Sequence, residues 1–115
     1  GGDELGSYVA NIKDIQEGKL LKSKYNILYR IVSVKGYENS WERYEAGGIG
    51  LQAEGKWRLK VQVIKGVNFE DGDDANKEYS FDTTFTMRAT PNEILAMMNN
   101  FTDAEINKLY MLGLV

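Results

Sequence analysis

Between Trp57 and Val63 the chain alternates without a break. Trp57, Leu59, Val61 and Val63 are apolar, and Arg58, Lys60 and Gln62 between them are polar. A period of two belongs to a β-strand with one buried and one solvated face. Lys77 to Arg88 repeats the pattern, with Tyr79, Phe81, Thr83, Phe85 and Met87 set against Ser80, Asp82, Thr84, Thr86 and Arg88. The first set is expected in the core with the Trp57 set, and the Thr-rich second set on a wet sheet surface. Tyr25 to Val34 is rich in β-branched and aromatic residues and predicts a third strand. Tyr25, Ile27, Tyr29 and Ile31 would share one face. Leu28, Val32 and Val34 would share the other, interrupted by Arg30. Two partly apolar faces imply a central strand.

Weaker segments complete the sheet. Lys19 to Lys24 reads as a basic link, and Trp41 to Ala46 as a weaker strand that Gly47-Gly48 either breaks or bulges. Ile49 to Ala53 predicts a short strand leading into the Trp57 strand. A one-residue slip turns every side chain to the other face, so burial selects a three-residue loop, Glu54 to Lys56. That loop would set Ala53 against Trp57, Leu51 against Leu59 and Ile49 against Val61.

The ends of the chain have helical patterns. After a flexible start over residues 1–6, Tyr8, Ile12 and Ile15 share one helical face from Ser7 onward, and Gly18 is placed to stop it. Near the C-terminus, Thr90-Pro91-Asn92-Glu93 is a capping box with proline at the first helical position. A second box follows, Thr102-Asp103-Ala104-Glu105, with Phe101 and Ile106 spaced as a hydrophobic staple. Gly113 can end that helix and let Leu114 fold back on Leu109. The expected fold is one α+β domain over residues 1–115. It has an antiparallel sheet of four to five strands, a meander or partly open barrel, packed by an N-terminal helix and a C-terminal pair of short helices.

Composition narrows the chemistry. The 115 residues include neither cysteine nor histidine. Thiol chemistry, disulfides, zinc fingers and His-dependent nucleophilic catalysis are therefore excluded, and no metal or cofactor is expected. No apolar run has the length of a membrane-crossing helix, and a cytoplasmic location is expected. The opening Gly1-Gly2 resembles a remnant of tag removal, so an earlier signal sequence stays open. Glu70-Asp71-Gly72-Asp73-Asp74 invites a calcium reading, but its spacing is not that of an EF-hand, and a solvated hairpin loop is expected. A catalytic carboxylate pair, for example among Glu42, Glu45 and Asp82, has no signal to support it, and no enzymatic activity is expected.

The net charge of −3 conceals an asymmetry. Lys19 to Lys65 contains ten Lys/Arg and four Glu, a net +6, and the rest of the chain is −9. Cations interleaved with aromatic rings suit single-stranded nucleic acid, which needs charge for phosphates and flat surfaces for bases. Lys24, Arg30, Arg43, Arg58 and Lys60 are the candidate phosphate contacts. Tyr37, Trp41 and Tyr44 are the candidate stacking rings. The bland alternative makes Tyr25, Tyr29 and Trp57 core residues and the lysines guards of open strand edges. The C-terminal helix pair is not read as a DNA-binding helix-turn-helix, because Asp103 and Glu105 would repel phosphate. The leading expectation is a non-enzymatic protein that binds single-stranded nucleic acid, a nucleotide or another phosphate-bearing ligand. The alternative is an accessory or structural protein, of the size and composition found in phages and mobile elements, that binds itself or another protein without touching nucleic acid.

Overall fold

The computed structural model describes residues 10–37, 55–70 and 79–115. Four strands form one antiparallel sheet in chain order: β1 (Leu20–Lys22), β2 (Leu28–Tyr37), β3 (Trp57–Lys65) and β4 (Ser80–Ala89). Two helices follow, α1 (Pro91–Met98) and α2 (Asp103–Met111). The α+β class and the antiparallel order are as the sequence predicts. Four strands are described, not five, and no N-terminal helix forms in the described residues.

In place of that helix there is one 3-10 turn, Ile12–Asp14. Ile12 and Ile15 are both buried, as the pattern required. Their spacing of three suits a 3-10 turn as well as an α-helix. Asp14 accepts a hydrogen bond from the Asn11 backbone N–H at 2.7 Å, and the turn ends at Ile15, whose ψ of 87° is not helical. Tyr8 and Val9 lie outside the described residues.

The supposed basic link contains β1. Its three residues are all buried, and its register sets Leu20 opposite Arg30 and Lys22 opposite Leu28. Adjacent strand residues point to opposite faces. Leu21 joins a cluster with Ile12, Ile15, Ile31, Trp57, Leu59, Val61, Ala89 and Ile94. Leu20 joins a second cluster with Leu28, Ile64 and Leu109. A strand covered on both sides shows no alternation, which hid it in the sequence. Ile94 belongs to α1 and Leu109 to α2, so the two helices cover opposite faces of the sheet. The chain crosses between them around the β1 edge. There the Asn100 side-chain amide donates to the carbonyls of Lys22 and Ser23, and Asn99 Oδ1 accepts from the Ala10 N–H.

Bulges correct the face assignments made from alternation. In β2, Ile31 lies opposite Val61 but Ser33 opposite Lys60, and Val34 faces Leu59. The extra residue at Val32 shifts the parity. Tyr29, Ile31 and Val34 therefore all pack on the α1-side cluster, although alternation had separated Val34 from the other two. In β4 the register shifts between Gln62 and Ile64 of β3. Phe85 and Met87 lie opposite Val61 and Leu59, on the α1 side, but Phe81 lies opposite Ile64, on the α2 side. The expected single core face of β4 is thus split. Phe81 and Phe85 are also exposed: among the described residues β4 is the outer strand and no helix covers its length.

Both edges of β3 are occupied from Trp57 to Val61, by β2 on one side and β4 on the other. The expected partners Ile49, Leu51 and Ala53, and the segment from Trp41 to Gly48, lie outside the described residues. Of the predicted buried half of the Trp57 strand, Val63 is only half-buried, while Trp57, Leu59 and Val61 are at 2% exposure or less. Each such burial stabilises by roughly 1.5–3 kcal/mol. The helix ends also match. Thr90 and Thr102 each accept from the backbone N–H three residues on, and Glu93 and Glu105 return the bond. Gly113 has φ +77°, and Leu114 N–H donates to Leu109 C=O at 2.9 Å, closing a Schellman motif.

Candidate functional site

Among the described residues, the α2 side of the sheet is covered at one end and open at the other. Leu20, Leu28 and Ile64 lie under Leu109, together with half-buried Phe69, Phe101 and Leu114. Beyond them the same face continues through a polar lattice. On β3 it comprises Arg58, Lys60 and Gln62. The register sets Arg88, Thr86 and Thr84 of β4 opposite these, in that order. On the β2 side the partners are Gly36, Ser33 and Arg30. Arg58, Lys60, Thr84, Thr86 and Arg88 are exposed.

The parity that buries Trp57, Leu59 and Val61 must send Arg58, Lys60 and Gln62 to the other side. Arg58 and Arg88 are directly opposite each other. Residues two apart on a strand are about 7 Å apart. At that separation, two unit charges in water repel by about 0.6 kcal/mol. The fold tolerates this, while a polyanion would meet the sum of the attractions.

Arg30 differs from its neighbours by being fixed. It is half-buried, and its Nη2 donates to Gln62 Oε1 at 2.6 Å. Gln62 is held in turn, its Nε2 donating to the Asp82 carbonyl at 3.0 Å. The Arg30 guanidinium carbon sits 3.8 Å from the centroid of the Phe81 ring, which meets Tyr79 edge-on. Among the described residues no acceptor is paired with the other guanidinium N–H groups. An arginine held in this way keeps its planar fork ready for an anion.

The carboxylate beside this row is already occupied. Asp82 pairs with Lys65 at 2.9 Å. The Lys65 hydrogen bond, the Thr83 backbone N–H and the Lys65 charge hold its carboxyl below the ordinary 3.8, against a small opposing effect of burial.

Of the five expected phosphate contacts, the structure brings Arg30, Arg58 and Lys60 to one face. Lys24 is elsewhere, on the β1–β2 turn, with its ammonium 5.2 Å from the Tyr25 ring. That turn forms because Ser23 Oγ accepts from the Tyr25 and Ile27 N–H groups and Asn26 adopts φ +66°. Lys24 and Tyr25 border a groove of about 810 Å³ on the α1 side, floored by Tyr29 and Met87 and walled by Glu93 and Met97. Arg43, Trp41 and Tyr44 lie outside the described residues. Tyr37 ends β2, its backbone opposite Trp57.

Three members of the face were not picked out as site residues. Arg88 was legible in principle, since it shares parity with Thr84 and Thr86. Gln62 carries no charge and gave no signal. Phe81 was assigned to the core because nothing in the alternation announces the bulge that turns it over.

Among the described residues, no group of acidic side chains comes together that would hold a metal ion, and no helix is long and apolar enough to cross a membrane. The chain matches no known family model, no curated protein and no solved structure.

Proposed function

We propose that this chain is a non-enzymatic binding protein whose open sheet face takes single-stranded nucleic acid or another phosphate-bearing polyanion. The observation that carries the reading is the meeting of Arg30, Arg58, Lys60 and Arg88 on one side of three adjacent strands. Their charge lies within a protein of net charge −3, so it is local and not a general property of the surface. Arg58 and Lys60 are exposed to a passing phosphate backbone, while Arg30 gives it a fixed point. Arg43 and the rings of Tyr37, Trp41 and Tyr44 are proposed from the sequence as further contacts. A cytoplasmic setting is proposed with them.

The test is fluorescence anisotropy of a labelled oligonucleotide at a series of salt concentrations. Each phosphate neutralised on a single strand contributes about −0.7 to the slope of log K against log salt. Arg58→Ala combined with Lys60→Ala should make the slope shallower by about 1.4 and weaken binding at low salt. No binding by the native protein at low salt refutes the reading.

A second reading, pairing with another copy or another protein, is favoured by the outer edge of β4. That strand is ten residues long, unpaired on its far side among the described residues, and carries exposed Phe81 and Phe85. Long edges of this kind are templates for strand addition. Light scattering that gives a strict monomer argues against self-pairing.

A further inference from the structure

Resting on the polyanion reading of the open face, we infer that Arg30 and Phe81 form a nucleobase-stacking subsite, which makes the ligand a base-bearing single strand and not any polyphosphate. The stack begins within the protein. Phe81 supports one plane of the Arg30 guanidinium at 3.8 Å, and Gln62 fixes one edge at 2.6 Å. A base takes the opposite plane, continuing the order ring, guanidinium, base, since arginine planes and aromatic rings are the usual platforms for unstacked bases. The remaining N–H groups of Arg30 are then directed at the neighbouring phosphate.

Three features favour this over a purely structural stack. The cost of ordering a long side chain has already been met by Gln62 and Phe81, which is preorganisation of the kind that benefits a ligand. Phe81 retains 38% of its surface in contact with solvent and Arg30 is only half-buried, so both side chains keep solvent-facing surface. The pair also lies in line with Lys60 and Arg58, one and two lattice steps along the same face. A strand tracking those cations reaches it. The register shift between Gln62 and Ile64 is what delivers Phe81 to this face. Bulges commonly re-aim a side chain next to a site.

The discriminating experiment compares a fluorescein-labelled oligothymidine of about a dozen nucleotides with an abasic oligomer of equal length. Both carry the same phosphates. The native protein should bind the base-bearing strand more tightly. Phe81→Leu should weaken that binding about tenfold while changing the abasic affinity and the salt slope little, and Arg30→Lys, which loses the stacking plane and the fixed fork, should lose more on the base-bearing strand than on the abasic one. Arg30→Lys keeps the charge, and Phe81→Leu keeps an apolar side chain at a partly exposed position; thermal melting checks both folds. Equal affinity of the native protein for the two oligomers overturns the subsite and leaves the polyanion reading standing. Equal losses on both oligomers in the variants overturn it also. Failure of the native protein to bind either oligomer at low salt removes both readings together.

Discussion

Replacing Lys22 by methionine should cost about 3 kcal/mol of folding stability at neutral pH, and the loss should fade in acid. Lys22 is only 7% exposed, although lysine is rarely a buried residue. Its ammonium reaches both oxygens of Glu105, at 2.8 and 2.9 Å, and lies 5.8 and 5.5 Å from the ring centroids of Phe69 and Phe101. Exposed ion pairs contribute about 0–1 kcal/mol, whereas stranding one partner of a buried pair costs about 3–5 kcal/mol. The Glu105 side chain retains 17% exposure and also accepts the Thr102 backbone N–H, so the lower end of that range applies. Methionine fits between the two rings, so the loss comes from the carboxylate and not from packing.

Burial alone would raise the Glu105 carboxyl. The hydrogen bonds from Lys22 and Thr102, with the Lys22 charge, outweigh burial and hold it below the ordinary 4.5. A depressed folded value gives stability that is full above the unfolded value and is lost as pH falls through the folded one. The native protein should therefore lose this contribution below about pH 4.5. Lys22→Met, having already lost it, should approach the native stability there. Urea titrations of both proteins at pH 7 and at stepwise lower pH measure the difference, and adding Glu105→Gln completes a double-mutant cycle. The glutamine keeps the capping bond, so the double variant should recover much of the stability. A cost under about 1 kcal/mol at pH 7, or a gap that does not narrow in acid, refutes the reasoning.

Two further outcomes are expected. Gly113→Ala should cost about 1 kcal/mol in urea unfolding through backbone strain alone, since φ is +77° and no atom lies within 4 Å of the added carbon; unchanged stability would count against the Schellman cap. Asn100→Ala removes the donor to the Lys22 and Ser23 carbonyls, at 3.2 and 3.1 Å, and should cost about 1 kcal/mol, with amide exchange in β1 about fivefold faster. Unaltered exchange in β1 would show that the edge is held by other contacts.

The sequence by itself determined what local rules control. Strand β3 and its buried face follow from the alternation of Trp57, Leu59 and Val61. The helix boundaries follow from side chains that satisfy backbone groups within three residues, as at Thr90, Glu93, Thr102 and Glu105. The shared orientation of Arg58 and Lys60 follows from parity alone. Tertiary structure decided everything that depends on a partner strand. It made β1 a buried edge strand, because Leu20 and Leu21 face different clusters and Lys22 finds Glu105 83 residues away. It shifted β2 and β4 by single residues, a change in pairing that no single-strand pattern contains. One of those shifts carries Phe81 from the expected core to the basic face and places it against Arg30. The shared face of Arg58 and Lys60 was legible, but the register that sets Arg30 and Arg88 beside them was not, because register between strands is set by the packing of the opposite, buried side.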